Sequence, residues 1–421
     1  MYKLGIIKKR KYSMTKPFGQ TTATISKRAE QSLHAGHPWV YDTEVMRIDG
    51  EYKNGDIITL VNLRGVILGK GFINDCSKIR LRVLAHGTET VDEAFFKRRL
   101  QNAWDYRKAV MGKDISCCRI VFGEADFLPG LTIDRFENIL VAQTLSLGTE
   151  RHKGMLFAAL REIMARDGAA IDGVFERNDV AIRGREGMEE GKGFYPLAAV
   201  AEPAATTVTI RENGILYDVD IENGQKTGFF LDQKYNRLAI QRLAPGRRVL
   251  DCFTHTGSFA LNAAFAGAER VTAVDISAEA VEMARRNAIK NGLEGRMEFT
   301  AANVFDLLPT LVNGAERLYD LIILDPPAFT KSRKTAANAM RGYKEINLRA
   351  MKLLAGGGIL ATCSCSHFLT DDLFRGMLGE AASDAGVQLR QIEARAQSPD
   401  HPVLWNVPET AYLKFYTFQV L

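Results

Sequence analysis

The sequence RRVLDCFTHTGSFALNAA, residues 247–264, decides the fold predicted for the C-terminal half of the chain. An apolar strand reaches Asp251, a turn with one glycine follows, and a helix begins at Ser258. Four more strands alternate with helices downstream, at 270–275, 297–301, 319–324 and 358–364. This alternation predicts a doubly wound α/β fold with a parallel sheet, which binds ligands at the carboxyl ends of its strands.

The turn after the first strand lacks the glycines of a dinucleotide-binding fold. A pyrophosphate cradle usually has G-x-G-x-x-G, whereas Thr254, His255 and Thr256 precede the single Gly257 here. S-adenosylmethionine has no phosphate, and it needs carboxylates near its amino and sulfonium groups and near its ribose hydroxyls. The turn therefore favours S-adenosylmethionine over a nicotinamide dinucleotide.

Polar side chains end three successive strands. Asp251 ends the first, and Asp275 ends the second, where an acidic residue can bind both ribose hydroxyls. Asn303 and Phe305 follow the third, where they can meet the edge and the face of an adenine. Each alone is more often a cap or a turn residue. Their coincidence at three strand ends favours a cofactor site.

The fourth strand ends in LIILDPPAFTK, residues 321–331. Two prolines fix φ and lack an N–H, so they hold Asp325 in a rigid turn, and Phe329 can stack on a flat base. The pattern D-P-P-x-aromatic is typical of methyl transfer to nucleobases. A turn that only stiffens the loop is the alternative.

Cys363 and Cys365 end the next strand, which places a thiol beside Asp325. No paired C-x-x-C or histidine spacing accompanies them, so we expect no metal, and neither a redox pair nor a disulfide framework. A thiol suits a carbon target, because C5 of cytosine becomes nucleophilic after a thiolate adds to C6. Nitrogen or oxygen targets need no covalent step, and the cysteines would then be core residues.

The first half of the chain shows other patterns. Residues 21–91 alternate in short segments broken by turns, which predicts a small β-rich domain with a hairpin around 63–65. Amphipathic helix 92–111, short strands and a second helix predict a central α+β domain over 92–200. Residues 1–20 are predicted to be disordered, and the α/β domain is placed at 201–421.

The composition adds few constraints. The net charge is +5, and residues 1–100 hold 18 Lys and Arg against 10 Asp and Glu, which weakly favours a polyanionic partner. No window approaches the roughly 18 apolar residues of a membrane span, and the N-terminus is not a secretory signal. We therefore expect a cytoplasmic protein with no membrane partner.

Together these motifs make the chain similar to a family of bacterial large-subunit (23S) ribosomal RNA methyltransferases that form 5-methylcytosine. That family combines a PUA domain, a small central α+β domain and a Rossmann-like class I S-adenosylmethionine domain. The resemblance runs from about residue 25 over nearly the whole chain. It rests on HAGHPWVYD (34–42), FGEADFLPGLTIDRF (122–136), KTGFFLDQKYNR (226–237), DCFTHTGSFA (251–260), DPPAF (325–329), RGYKEIN (341–347) and SCS (364–366).

The resemblance implies roles for individual residues. Cys365 would be the nucleophile and Asp325 would hold the base edge, while Cys363 competes because Thr362-Cys363-Ser364 matches the T-C-S of other cytosine-C5 RNA methyltransferases. Asn303 and His255 depart from the family pattern, so we expect weaker cofactor binding. The residues expected to bind S-adenosyl-L-methionine are Phe230, Leu231, Asp232, Gln233, Asp251, Phe253, Thr256, Gly257, Asp275, Asn303, Phe305 and Asp325.

The PUA resemblance implies that residues 21–90 bind ribosomal RNA of the large subunit, with Trp39 in the core. Two alternatives stay open: methylation of a base nitrogen with structural cysteines, and a non-catalytic RNA-binding assembly factor. The sequence does not decide between a monomer and a homodimer. The expected phosphate contacts are Lys27, Arg28, Lys78, Arg80 and Arg82.

Overall fold

The computed structural model describes residues 21–197, 205–314, 318–329 and 336–421. These residues form two compact units. Unit 1 contains residues 21–112, 119–197 and 403–408, and unit 2 contains residues 113–118, 205–402 and 409–421. The predicted disordered tail and the predicted boundary near residue 200 lie outside the described residues. The division into three domains stays a prediction.

Unit 1 begins with a six-stranded sheet of order β2-β6-β5-β4-β1-β3. The antiparallel pairing of β4 with β5 confirms the predicted hairpin. Trp39, predicted in the core, is half-buried and donates from Nε1 to Glu124 Oε1 at 2.9 Å. The elements are β1 (Thr22–Ile25), α1 (Lys27–His34), β2 (Trp39–Val40), β3 (Val45–Asp49), β4 (Ile57–Val61), β5 (Ile67–Ile73) and β6 (Leu81–His86).

Helix α1 corrects the sequence interpretation, which placed only strands and turns in this region. The helix begins because the Ser26 side chain accepts a hydrogen bond from the Ala29 N–H at 3.2 Å, a standard N-cap. Ala29 and Leu33 lie four residues apart and are buried on one face. Eight residues give only two turns, which is too short for a clear helical period in the sequence.

The rest of unit 1 includes a five-stranded sheet of order β11-β10-β9-β8-β7. The predicted helix at 92–111 is confirmed, and the second helix begins earlier than predicted because Ser146 caps it. The elements are α2 (Glu93–Met111), β7 (Cys117–Phe122), β8 (Leu131–Phe136), β9 (Ile139–Thr144), α3 (Leu147–Arg166), β10 (Gly173–Arg177) and β11 (Lys192–Phe194).

Unit 2 begins with a hairpin and continues with strands and helices in alternation. The elements are β12 (Thr207–Glu212), β13 (Ile215–Asp220), α4 (Lys234–Leu243), β14 (Arg248–Cys252), α5 (Ser258–Phe265), β15 (Arg270–Asp275), α6 (Ala278–Lys290), β16 (Met297–Ala301), α7 (Val304–Asn313), β17 (Tyr319–Leu324), α8 (Ala336–Leu353), β18 (Leu354–Ser364), α9 (Asp371–Ala385), β19 (Leu389–Arg395) and β20 (Lys414–Val420).

These strands confirm the predicted doubly wound sheet. Among the described residues the order is β16-β15-β14-β17-β18-β20-β19, and β14 to β18 are parallel, whereas β20 runs antiparallel to both neighbours. The chain moves outward from β14 to β16 and then returns to β17 on the other side of β14. This reversal is a topological switch point, where such sheets open a ligand crevice at the carboxyl ends of the strands.

The core of unit 2 explains why these strands are nearly continuous apolar runs. Leu250, Ile322 and Leu360 are fully buried at the centre of three neighbouring strands, and Met351 and Phe374 cover them from two helices. Strands covered by helices on both faces need apolar residues on both faces. No helix in the described part of the chain has the length and hydropathy to cross a membrane.

Candidate active site

Asp251 is fully buried in β14, at the switch point. Its Oδ2 accepts hydrogen bonds from Thr254 Oγ1 at 2.5 Å and from the Ala260 N–H at 2.9 Å. Burial raises the pKa of this carboxyl group to about 7, although both hydrogen bonds lower it. Its Oδ1 is buried and has no hydrogen-bond partner among the described residues. A buried acceptor without a donor is costly, so this oxygen suits a ligand donor.

The turn from β14 to α5 is strained. Phe253 and His255 have φ of 64° and 51°, conformations that are rare outside glycine and concentrate at functional sites. Gly257 has φ of 82°, and a Cβ on it would lie 2.8 Å from Ala284 Cβ, so the position requires glycine. Thr256 Oγ1 is another buried atom without a hydrogen-bond partner in the described chain.

Asp275 ends β15 and braces the same turn. Its Oδ2 accepts from the His255 N–H at 2.9 Å, and its Oδ1 accepts from the Ser277 N–H at 3.0 Å. Each carboxylate oxygen accepts about two hydrogen bonds, so both oxygens retain capacity for ribose hydroxyls.

Asn303 caps helix α7. Its Oδ1 accepts from the Phe305 N–H at 3.1 Å, and its Nδ2 donates to Asp306 Oδ2 at 2.9 Å. The Phe305 ring lies 5.6 Å from the Phe329 ring, which lies 4.6 Å from that of Tyr343. Phe329, which the sequence offered as a surface for a flat base, is therefore engaged in an aromatic cluster.

Asp325 follows β17 on the other side of the switch point. Its Oδ1 accepts from Gln233 Nε2 at 3.0 Å, and Gln233 Oε1 accepts from Asn236 Nδ2 at 2.6 Å, which fixes the amide. Burial, and next the charge of Asp232, raise the pKa of Asp325 to about 6, against hydrogen bonds from Cys363 and Gln233. This carboxyl group can therefore carry a proton at a pH close to neutrality.

Buried polar contacts hold the segment 230–233 in place. The Phe230 carbonyl accepts from Arg237 Nη2 at 2.9 Å, and the fully buried Arg237 pairs with Glu212 at 2.6 Å. Asp232 Oδ2 accepts from the Tyr412 hydroxyl at 2.5 Å. Leu231 is buried among them. The Arg237–Glu212 ion pair thus fixes one end of the segment, and the hydrogen bond from Gln233 to Asp325 holds the other end beside the carboxyl end of β17.

The two cysteines differ in exposure and in partners. Cys363 is fully buried, and its thiol donates a hydrogen bond to Asp325. Cys365 lies just beyond β18 and is partly exposed. Burial raises the pKa of both thiols, and the charge of Asp325 raises both further. Only Cys365 combines the charge of Asp325 with access to solvent.

Sequence reasoning missed two side chains that interact with Cys365, Lys226 and Lys414, and a third, Tyr412, that holds Asp232. Lys226 lowers the pKa of the Cys365 thiol, and its ammonium group lies 4.8 Å from the centre of the Phe230 ring. Lys414 interacts electrostatically with Cys365, and Tyr412 bonds Asp232 as described. Lys226 is the first residue of the KTGFFLDQKYNR motif (226–237), so the sequence did carry a signal for it. Tyr412 precedes β20 and Lys414 begins it, and neither belongs to a motif that could have pointed to the site.

Three of the five cations predicted to contact phosphate have acidic partners in unit 1. Arg82 lies 2.8 Å from Glu186 and 3.5 Å from Glu124, and its side chain is largely buried. Arg80 lies 2.6 Å from Asp75. Arg28 is exposed and lies 3.7 Å from Glu44. Lys27 and Lys78 are exposed as well.

The atoms at the switch point fit S-adenosylmethionine. Its amino group and ribose hydroxyls are donors, and the turn offers acceptors at Asp251 Oδ1, Thr256 Oγ1 and the carboxylate of Asp275. A phosphate would meet acceptors and carboxylates instead of free N–H groups. Among the described residues, no group of three or more His, Cys, Asp or Glu side chains is arranged to hold a metal ion.

Comparison with known proteins agrees with this chemistry. A family model described as S-adenosylmethionine-dependent methyltransferase matches residues 197–419, and a PUA-like domain model matches residues 23–86. Ribosomal RNA large subunit methyltransferase I of Escherichia coli (strain K12) is 41% identical over 400 residues, which cover 94% of this chain and 98% of that protein. The same enzyme of Klebsiella pneumoniae (strain 342) is 40% identical over the same shares.

Solved structures share the fold at lower identity. A protein described as a SAM-dependent methyltransferase from Streptococcus mutans has a TM-score of 0.78 at 20% identity, covering 94% of this chain and 99% of its own. A methyltransferase complexed with SAH has a TM-score of 0.79 at 19% identity over the same shares. By its sequence relatives and family models, this chain belongs to the ribosomal RNA large subunit methyltransferase I family, S-adenosylmethionine-dependent methyltransferases with a PUA-like domain.

Proposed function

We propose that this protein methylates C5 of a cytosine in large-subunit ribosomal RNA, with Cys365 as a covalent nucleophile. The names of its relatives support ribosomal RNA as the substrate. One observation carries the chemistry. The partly exposed thiol of Cys365 feels the charge of Asp325, whose carboxyl pKa is raised by burial to about 6, while the competing thiol of Cys363 is buried and hydrogen-bonded to that carboxyl group.

We assign RNA binding to residues 21–91, a supporting role to residues 92–200 and methyl transfer to residues 201–421. S-adenosylmethionine, when bound, supplies an electrophilic methyl group on a positively charged sulfur. Asp251 and Thr256 would accept from its amino group, and Asp275 from its ribose. We include in the binding set Phe230, Leu231, Asp232, Gln233, Phe253, Gly257, Asn303, Phe305 and Asp325.

The residues of the chain divide the reaction between a thiolate and an acid. The thiolate of Cys365 forms a bond to C6, and the electron pair of the C5–C6 double bond moves toward C5 and the ring. Asp325, protonated, donates to N3 and neutralises the charge that the ring gains. Its raised pKa suits this role, because a general acid works best near the operating pH.

The covalent bond between the Cys365 sulfur and C6 must then break. Once C5 carries the new methyl group, its hydrogen leaves as a proton to water, the C5–C6 double bond re-forms and the sulfur leaves as thiolate. Asp325 recovers its proton from N3. Electrons and protons therefore balance without any oxidant or metal.

The test is methylation of unmodified ribosomal RNA with S-adenosylmethionine that carries a labelled methyl group, followed by nucleoside mass spectrometry. Wild type should give labelled 5-methylcytidine, Cys365→Ala should give none, and Cys363→Ala, the matched control, should keep most activity. RNA with 5-fluorocytosine should trap wild type covalently, because fluorine cannot leave as a proton. Label in another nucleoside, or activity that survives Cys365→Ala, would refute the proposal.

A further inference from the structure

We propose that Lys414 is a positioning residue for Cys365: its ammonium group holds the turn that carries the thiol and places a buried positive charge beside the thiolate. This inference rests on the proposed function. It concerns a residue of the last strand, far in sequence from every motif described above.

Lys414 is buried where a lysine normally reaches solvent. It is the first residue of β20 and pairs with Ser364 of β18, and its exposure is only 9%. Lysine at the end of a strand usually extends its ammonium group into water. Here Nζ instead donates to the carbonyls of Ser366 at 2.7 Å and Tyr412 at 2.8 Å. Burying this charge costs free energy, so the position needs a reason.

The Ser366 carbonyl belongs to the residue that follows Cys365, in the peptide that joins Ser366 to His367. It also accepts from the Leu369 N–H, but at a longer 3.3 Å. The Ser366 N–H donates to Ser364 Oγ at 3.4 Å. The bond from Lys414 is therefore the shortest of these polar contacts of the turn, and it ties the residue after the thiol to β20.

Neighbouring charges raise the pKa of the Cys365 thiol, and the ammonium group of Lys414 opposes this effect. Burial and the carboxylates of Asp325 and Asp232 raise the pKa of the thiol, and Lys226 lowers it from an exposed position. Lys414 acts from within the protein, where a charge is screened less by water. The other titratable groups that face this pair are Tyr343, His367 and Asp371.

The ionisation of the Lys414 ammonium group is consistent with this role. Burial lowers the pKa of its ammonium group to about 8, while the charges of Cys365 and Asp371 oppose that shift. The group is therefore still mostly charged at neutral pH. The charge of Cys365 favours the ammonium form of Lys414, and from the reciprocity of charge interactions we infer that the ammonium group in turn favours the thiolate.

The experiment measures the rate at which iodoacetamide alkylates Cys365 in the full chain between pH 6 and 10, by peptide mass spectrometry that separates Cys365 from Cys363. Lys414→Met removes the charge and the tether, Lys414→Gln keeps an amide donor without charge, and Lys414→Arg keeps the charge. Lys226→Met reports what an exposed cation contributes. Buried Cys252 is an internal control for unfolding.

We expect the Met and Gln variants to shift the alkylation midpoint upward by about one pH unit, a loss of roughly ten-fold in rate at pH 7, and the Arg variant to stay near wild type. Unchanged midpoints in both neutral variants would overturn the proposal. A shift that appears only when Cys252 is also labelled would overturn it too, because it would report unfolding.

Turnover separates this inference from the proposed function. If Cys365 is the nucleophile, Lys414→Gln lowers kcat for RNA methylation and leaves the KM for RNA nearly unchanged. An alkylation shift with unchanged kcat would support the role of Lys414 and refute the covalent mechanism. Alkylation needs no turnover, so the two ideas fail independently.

Discussion

At the scale of single residues, the candidate site holds acidic groups under conditions that raise their pKa. Asp251 and Asp325 are both buried at the switch point, and burial is the main cause of their raised pKa values. The charge of Asp325 also raises the pKa of Asp251, and the charge of Asp232 raises that of Asp325. Such groups destabilise the folded protein when they ionise. Active sites commonly keep residues that are costly for stability because the chemistry needs them.

We predict that Asp325→Asn stabilises the protein at pH 7.5 while it abolishes methylation. The pKa of Asp325 is raised from its usual 3.8 to about 6 in the folded state, so its contribution to stability is greatest below pH 3.8 and is lost as the pH rises through 6. An asparagine keeps an oxygen for Gln233 without this penalty. We expect the melting temperature to rise by about 2–6 °C at pH 7.5 and by roughly half that at pH 5.

Differential scanning fluorimetry of wild type and Asp325→Asn at both pH values measures this. Asp320→Asn is the matched control, because a salt bridge to Arg248 lowers the pKa of Asp320. That variant should be less stable than wild type at pH 7.5. An Asp325→Asn protein that melts below wild type at pH 7.5 would contradict the assigned pKa.

Residues at strand ends could be predicted from the sequence, whereas those contributed by distant strands could not. Asp251, Asp275 and Asp325 follow apolar strands, and parallel topology alone brings strand ends to one edge. Asn303 was assigned to the adenine, and its side chain caps a helix. Lys414 had no signal, because its burial depends on the antiparallel return of β20 beside β18, which no local pattern reveals.

At the scale of elements, the turn between β14 and α5 is where geometry restricts the sequence most. Gly257 combines a positive φ with the close approach of Ala284 on α6, so two separate constraints exclude a side chain. Gly246 has φ of 68° and nothing within 4 Å of a Cβ. Alanine substitutions at Gly257 and Gly246 therefore distinguish the effect of a steric clash from that of backbone strain alone.

We predict that Gly257→Ala weakens S-adenosylmethionine binding by more than ten-fold, because the clash displaces the turn that carries Thr256 and that Asp275 braces. Gly246→Ala, the control, should lower stability by about 1–2 kcal/mol through strain alone and leave binding unchanged. Isothermal titration calorimetry with the cofactor measures both. Equal affinities in the two variants would show that the turn takes no part in binding.

Long or buried elements could be predicted from the sequence more accurately than short, partly buried ones. Strands β15, β16 and β17 end at the predicted residues, because buried parallel strands are continuous apolar runs with turns at both ends. Helix α1 was missed because two turns of helix with two buried residues resemble a half-buried strand. Strand β18 begins four residues earlier than predicted, before the glycines at 356–358.

At the scale of the whole molecule, the units do not follow the order of the chain. Unit 2 includes residues 113–118, and the fully buried Lys234 depends on them. Its Nζ lies 3.5 Å from Asp114 Oδ1 and donates to the Cys117 carbonyl at 3.3 Å. Tyr235 also donates to Asp114 at 3.0 Å.

We predict that a fragment of residues 205–421 is unstable because it leaves this cation buried and unpaired, at a cost of about 3–5 kcal/mol. Lys234→Met should therefore stabilise the fragment and destabilise the full chain. Melting temperatures of the four proteins measure this reversal of sign. A substitution that acts in the same direction in both contexts would show that residues 113–118 are dispensable for unit 2.

Unit 1 has the complementary dependence, on residues 403–408. Val407 is fully buried there, and Asn406 lies against Gly36, near the beginning of the chain. A protein emerges from the ribosome from its N-terminus, so most of unit 1 is synthesised long before this last piece exists. Unit 1 therefore cannot be complete until translation has passed residue 408. Chains that end before residue 403 thus lack part of unit 1.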